Sequence, residues 1–161
     1  MFWENIKKEF VITNLKANSE KEVFEELGQR MVNAGRCKDS FVKALEEREM
    51  VFPTGILCDD IGVAIPHTDP EHVNESTISI ANLDKPVRFY HMGTNPKEGV
   101  EVQVQFIIML AIVGTNHLDM LQKAIQLIQD KEVLLKLIGA GSSEEVIQII
   151  KEKEMQNEQN N

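Results

Sequence analysis

The segment VEVQVQFIIMLAIV, residues 100–113, decides the fold class of this chain. Its first six residues alternate apolar and polar side chains, which is typical of a strand with one face in solvent. The last eight residues are all apolar, as in a strand that is buried on both faces. Because a membrane-spanning helix needs about 20 apolar residues, these eight do not indicate a membrane span. The segment predicts a strand that begins half-exposed and ends inside the protein.

Shorter patterns upstream predict the other strands of the sheet. Residues 77–83 alternate with period two, and residues 86–90 form a second short pattern of the same kind. Residues 63–65 predict a short buried strand, and residues 10–12 a weak edge strand. Apart from the weak edge strand, these segments and residues 100–113 predict three or four strands.

Helical spacing appears on both sides of these strands. Ser19 followed by Glu22 is a capping-box pattern, and the apolar residues after it predict a first helix that stops at Gly35. A second helix is expected from residue 39 or 40 to a point before Pro53, since the residue before proline avoids the helical region. Three more helices are expected, after the turn at residues 114–116, over 131–138 and over 144–153. The resulting fold class is α/β (α+β), with a sheet flanked by helices.

Length and charge restrict the class of protein further. The 161 residues are enough for one domain, with an expected core at about 10–153 and a polar, frayed tail at 154–161. The 17 basic and 26 acidic residues give a net charge of −9, so there is no overall basic footprint for nucleic acid. The N-terminus lacks the apolar core of a signal peptide. We therefore expect a soluble, cytoplasmic protein.

His67 is the most informative candidate for a catalytic residue. It follows a short apolar strand and a proline and precedes a polar loop. Ligands of open α/β folds bind at this kind of position, just beyond a strand end. A neutral imidazole is a nucleophile that can accept and release a phosphoryl group. The alternative is a structural histidine that hydrogen-bonds a neighbouring carbonyl.

Two further residues could serve an anion near such a histidine. His117 lies at the predicted start of a helix, where free backbone N–H groups and the helix dipole favour negative charge. Arg48 closes the second helix, and a guanidinium can bind a phosphoryl group with two donors. The simpler interpretations are an exposed histidine and a surface arginine paired with a neighbouring glutamate, and the residues alone favour these.

Other chemistries have weaker support. His67 and His72 flank Asp69 and Glu71, with Cys58 upstream, but Pro70 interrupts the segment and no third ligand has a standard metal spacing. The negative charges beside Cys58 disfavour its thiolate. Neither of the two glycine-rich phosphate-binding motifs, G-x-x-x-x-G-K and G-x-G-x-x-G, occurs in the sequence. A nucleotide-dependent kinase therefore has no support. We expect no metal and no cofactor.

Three segments in order resemble one protein family. GVAIPH at residues 62–67, LEERE at 45–49 followed by TGI at 54–56, and GTNHLDML at 114–121 are similar to motifs of the fructose/mannitol-type enzyme IIA domains. These domains belong to the bacterial phosphoenolpyruvate-dependent sugar phosphotransferase system. The resemblance covers about residues 20–152, and residues 86–93 look most like the galactitol-type branch. One departure is Thr68, where many members have glycine.

The resemblance implies a central mixed sheet covered by helices, and a reaction. His67 would accept a phosphoryl group from the phosphocarrier HPr and pass it to an enzyme IIB, which serves the membrane component IIC. His117 and Arg48 would surround the phosphoryl group. The sugar or alditol, possibly galactitol, would be selected by the membrane component. The alternative is a regulatory module of the same fold that is phosphorylated on histidine and does not feed a transporter.

Overall fold

The sheet of the computed structural model, which describes residues 1–160, has five strands in the order β1-β4-β5-β3-β2. Parallel pairs join β1 to β4 and β3 to β5, whereas β2–β3 and β4–β5 are antiparallel. The mixed sheet is therefore confirmed. Its strands are β1 (Ile6–Leu15), β2 (Gly55–Cys58), β3 (Ile61–Ala64), β4 (Thr77–Tyr90) and β5 (Glu101–Ala111).

Helices cover both faces of this sheet. One hydrophobic core joins it to the first two helices, and a second core joins it to the other three. Side chains of β5 alternate between them, with Ile107 and Met109 in one core and Ile108 and Leu110 in the other. The prediction of a strand buried on both faces is thus confirmed. The helices are α1 (Glu20–Asn33), α2 (Phe41–Glu49), α3 (His117–Ile128), α4 (Lys131–Gly139) and α5 (Ser143–Gln159).

The helix boundaries follow the sequence signals closely at most ends. Ser19 caps α1 by accepting a hydrogen bond from the backbone N–H of Glu22, and Gly35 adopts a left-handed conformation just after the helix. Ser40 is the N-cap residue of α2, although its side chain makes no capping bond. Ser142 caps α5 through the N–H of Glu145. Local chemistry therefore sets these starts.

Strand β4 corrects one prediction, since residues 77–83 and 86–90 belong to a single strand. Asn82 pairs with Phe106 and Val87 with Val104, so the residues between them bulge out of the ladder. The bulge accommodates Pro86, which has no N–H to donate. The sequence predicted two strands because a proline in an alternating pattern normally ends a strand.

The C-terminal helix and the N-terminus correct two more predictions. Instead of fraying at residue 154, α5 continues to Gln159. The carboxylate of Glu154 accepts hydrogen bonds from the backbone N–H groups of Phe2 and Trp3, at 2.7 and 3.0 Å. Phe2 is buried, as is Ile6 of β1. The core therefore begins before residue 10, and the polar tail is ordered by contacts with the other end of the chain.

Strand β2 was not predicted at all. It pairs with β3 along its whole length, and a Cβ on Gly62 of β3 would lie 2.1 Å from the backbone oxygen of Gln103 in β5. This contact requires glycine, so it fixes how closely β3 approaches the centre of the sheet.

Beyond β3 the chain stays beside β5, because Leu110 donates its N–H to the carbonyl of Pro66. That contact positions His67.

Candidate functional site

The His67 ring lies just beyond the end of β3 and is 8% exposed. Its Nδ1 is 2.7 Å from the carbonyl oxygen of Ile65. Because a carbonyl oxygen only accepts, Nδ1 carries the proton and donates it. In the neutral ring the other nitrogen, Nε2, then holds the free electron pair. His67 does hydrogen-bond a neighbouring carbonyl, as the structural interpretation expected. This bond occupies only Nδ1, so Nε2 stays available as a nucleophile.

The surroundings of His67 keep this ring neutral. Burial lowers its pKa from 6.5 to about 4, although the bond to Ile65 opposes the shift. His117 and the Arg48 guanidinium lower the pKa further, and Asp69 acts in the opposite direction. Since an uncharged imidazole is the form with an electron pair, these contacts hold His67 in its nucleophilic state at neutral pH.

His117 packs against His67. It is the first residue of α3, as expected, and the two ring centroids are 4.9 Å apart at an angle of 59°. Its Nδ1 is buried and has no hydrogen-bond partner. Burial is also the main reason that the pKa of His117 is lowered, with Arg48 adding to the effect. The side chain of Asn116 makes no capping bond at this helix start.

Arg48, in the last turn of α2, is the third predicted site residue. Its guanidinium lies 5.0 Å from the ring centre of Phe52 and 3.9 Å from the carboxylate of Asp69. The Nε of Arg48 is buried without a partner. Within residues 1–160, Arg48 forms its ion pair with Asp69 and not with a neighbouring glutamate, as the simpler interpretation had expected. The arginine is close enough to both histidines for its charge to lower the pKa of each.

Arg48 and His67 line an open cleft. Its walls include Phe52 and Leu121 and a turn that follows β4, over residues 92–95. No role at the site was predicted for this turn, although residues 92 and 93 belong to the segment that looks like the galactitol-type branch. The signal that was available is the glycine at position 93, which adopts a left-handed conformation.

Large apolar side chains are exposed at the cleft and next to residues of the site, and two of them, Val51 and Phe52, line the cleft. Met50, Val51 and Phe52 follow α2 and are 74%, 61% and 59% exposed. Leu118, next to His117, is 64% exposed. Leu118 lies in the first turn of α3, whose residues 118 and 119 are exposed. The four side chains, residues 50–52 and 118, are called the apolar rim below.

Among the other candidates, His72 and Cys58 do not line the cleft. Nδ1 of His72 is 2.8 Å from the hydroxyl of Ser40, and burial, with the charge of Asp59, raises the pKa of the Cys58 thiol. Thr68 is buried. Within residues 1–160, no three His, Cys, Asp or Glu side chains come together as a metal site would require.

None of the described helices has the length and apolar character needed to span a bilayer. Solved structures share the fold of this chain. The structure of Escherichia coli enzyme IIA mannitol in complex with phosphorylated enzyme IIB mannitol matches with a TM-score of 0.75. That match covers 91% of this chain and 98% of the other at 19% identity, so it supports the fold.

Sequence comparison identifies the family. Residues 4–153 match the model of the phosphoenolpyruvate-dependent sugar phosphotransferase system, EIIA 2, and the chain belongs to this family. A mannitol-specific phosphotransferase enzyme IIA component of Staphylococcus aureus is 28% identical over 88% of this chain and 92% of its own length. Multiphosphoryl transfer protein 2 of Escherichia coli is 31% identical over 82% of this chain. This chain spans only 15% of that longer protein.

Proposed function

We propose that this chain is a phosphocarrier, the enzyme IIA component of a bacterial sugar phosphotransferase system. In this proposal His67 accepts a phosphoryl group from the histidine of phospho-HPr and passes it to an enzyme IIB. Residues 1–161 would act as one domain, and the reaction would take place in the cytoplasm. The protein would be an enzyme in the sense of a phosphotransferase with a phosphohistidine intermediate.

One observation carries the proposal. A neutral His67 with a free Nε2 lies beside two buried polar atoms that have no partner, the Nε of Arg48 and the Nδ1 of His117. Buried polar groups are nearly always hydrogen-bonded. A phosphoryl group on Nε2 would bring oxygen acceptors to this place, and the Nε–H of Arg48 would donate to one of them.

The transfer step follows from this geometry. The electron pair of Nε2 forms the new N–P bond as the N–P bond to the donor imidazole breaks, and the donor ring leaves with the electron pair of the broken bond. Nε2 thereby places positive charge on the His67 ring, which the bond from Nδ1 to the Ile65 carbonyl stabilises. Arg48 and His117 would stabilise the charge on the three phosphoryl oxygens. The donor is already activated, so the step itself uses no nucleotide.

The apolar rim supports a role in transient docking. Monomeric proteins seldom expose several large apolar side chains together unless a partner covers them. Val51 and Phe52 of the rim line the cleft that contains His67, and Leu118 follows His117 in α3, so a partner seated on the rim would bring its own reacting residue close to Nε2. Two partners would use this surface in turn, HPr and enzyme IIB, with interfaces below about 1,200 Å² each. The membrane component IIC would be reached only through enzyme IIB.

The substrate class is a sugar or alditol. The likeness of residues 86–93 to the galactitol-type branch favours galactitol, whereas the S. aureus relative is named for mannitol. A panel of enzyme IIB proteins specific for mannitol, galactitol and fructose would identify the pathway, with transfer measured by mass spectrometry.

Labelling by phosphoenolpyruvate, enzyme I and HPr tests the proposal directly. The wild type should gain one phosphoryl group at His67, and His67→Gln should gain none. His72→Gln is the matched control, since His72 lies outside the cleft and should not affect labelling. Equal labelling of His67→Gln and the wild type would refute the proposal. Labelling without transfer to any enzyme IIB would instead favour the regulatory alternative.

A further inference from the structure

Glu49, the neighbour of Arg48, is a buried acidic side chain. It ends α2 and is 4% exposed, and it is the one buried carboxylate within residues 1–160. Burial of a carboxylate is costly unless the group has hydrogen-bond partners. The proposed transfer step does not use Glu49, so its burial needs another explanation.

Both oxygens of Glu49 bind Thr54. The backbone N–H of Thr54 donates to Oε2 at 2.6 Å, and its hydroxyl donates to Oε1 at 2.9 Å. These bonds close the loop formed by residues 50–53, which connects α2 to β2. Within that loop the N–H of Phe52 donates to the carbonyl of Arg48 at 2.7 Å, and the Phe52 ring lies under the Arg48 guanidinium. The closed loop therefore restricts where Arg48 can point.

The same residue, Thr54, leads to the nucleophile. Its carbonyl oxygen accepts the N–H of Ile65 at 3.4 Å, and the carbonyl of Ile65 accepts the Nδ1–H of His67 at 2.7 Å. Thr54 thus contacts the arginine-bearing helix through Glu49 on one side and the histidine-bearing segment through Ile65 on the other. These hydrogen bonds form a continuous path between the two groups.

We infer that Glu49 is a positioning residue that, through Thr54, holds Arg48 and His67 in register for the phosphoryl group. The inference rests on the proposed function of His67. Glu49 itself touches neither the nucleophile nor the phosphoryl group in this assignment. Its effect on the reaction passes through the placement of the arginine and of the Ile65 carbonyl.

The surroundings of Glu49 favour a hydrogen-bonded, uncharged side chain over an ion pair. Burial raises the pKa of Glu49 to about 8, against the bonds from Thr54, while Glu20 of α1 raises it further and Arg48 lowers it. Glu20 is itself 3.4 Å from Arg88 of β4. A neutral group can thus occupy this place, and glutamine, which has one acceptor and one donor, can still bond to both groups of Thr54.

Four variants test the inference. Glu49→Leu removes both bonds, Thr54→Val removes only the hydroxyl bond, and Glu49→Gln retains acceptor and donor groups. Glu47→Gln is the matched control, because Glu47 lies exposed on the same helix and only approaches Lys43, at 3.9 Å. Circular dichroism establishes that each variant is folded. If Glu49→Leu does not fold, Thr54→Val and Glu49→Gln decide the outcome.

The first measurement is the rate at which phosphoramidate, a small phosphoryl donor that needs no partner protein, labels His67. We expect Thr54→Val and Glu49→Leu to slow labelling by about tenfold or more, as for a small misplacement of reacting groups. Glu49→Gln should retain most of the rate. In an Arg48→Ala background, Thr54→Val should cost much less, because the two changes act on one unit.

The second measurement is the pKa of His67, from NMR titration of its ring. The guanidinium of Arg48 contributes to the lowered pKa, so a displaced Arg48 lets the pKa rise. Glu49→Leu and Thr54→Val should show this rise, and Glu47→Gln should not. An unchanged pKa and rate in Thr54→Val and Glu49→Leu would overturn the inference. Absence of wild-type labelling by both phosphoramidate and phospho-HPr would refute the proposed function itself.

Discussion

The buried ring of His67 makes the stability of the fold depend on pH. In the unfolded chain the imidazole binds a proton below its ordinary pKa of about 6.5, whereas in the folded protein burial lowers that pKa to about 4. Between these values the unfolded state binds more protons, so the free energy of unfolding decreases as pH falls. The stability is fully present above about pH 6.5 and is lost towards pH 4.

The size of the effect follows from the two pKa values. The whole difference corresponds to about 3 kcal/mol, of which about 2 kcal/mol is lost between pH 7 and pH 5. Urea denaturation at these two pH values measures the loss in the wild type and in His67→Gln. Glutamine does not titrate, so the variant should lose about 2 kcal/mol less than the wild type.

The comparison between the two proteins isolates the contribution of His67. Other titrating groups, including the buried Glu49 and the partly buried His117, are present in both proteins and contribute to both losses. An NMR titration of the His67 ring gives an independent value of the folded-state pKa. A midpoint near 6.5, or equal losses in wild type and variant, would show that the ring is not desolvated as the structure indicates.

Two other changes have expected outcomes that separate chemistry from packing. His117→Ala should still be labelled at His67 by phospho-HPr but should transfer to an enzyme IIB at least about tenfold more slowly, because a stabilising group is lost; rapid-quench kinetics that match the wild type would remove His117 from the mechanism. Gly62→Ala should destabilise the fold by more than about 3 kcal/mol, because its Cβ would meet the Gln103 backbone at 2.1 Å. Gly139→Ala is the control, since nothing lies within 4 Å of its Cβ position, and thermal unfolding should show little change.

Local patterns were sufficient for much of the fold. The capping serine before α1 and the left-handed glycine after it act over a few residues, so their effect is visible in the sequence. The same holds for β5, where alternation followed by an apolar run corresponds to a strand that enters both cores. These elements were predicted because the information they depend on is contiguous.

The candidate site was foreseen in part. The positions of His67 after a strand and His117 at a helix start follow from local patterns. Their contact, at 4.9 Å between ring centroids, joins residues fifty apart in sequence, so local patterns do not predict it and only the family resemblance placed the two histidines together. The placement of Arg48 beside them was expected only from family resemblance, since an arginine among glutamates indicates a surface ion pair.

By itself, the sequence determined the periodic elements, the helix caps and the residue types available for chemistry, because each depends on neighbours a few positions away. Tertiary structure decided that Pro86 sits within a strand, that the polar tail remains helical against Phe2, and that Glu49 is buried on Thr54. None of the three follows from the pattern of neighbouring residues. They are stable because hydrogen bonds from distant backbone, or a bulge opposite a neighbouring strand, satisfy groups that would otherwise favour solvent.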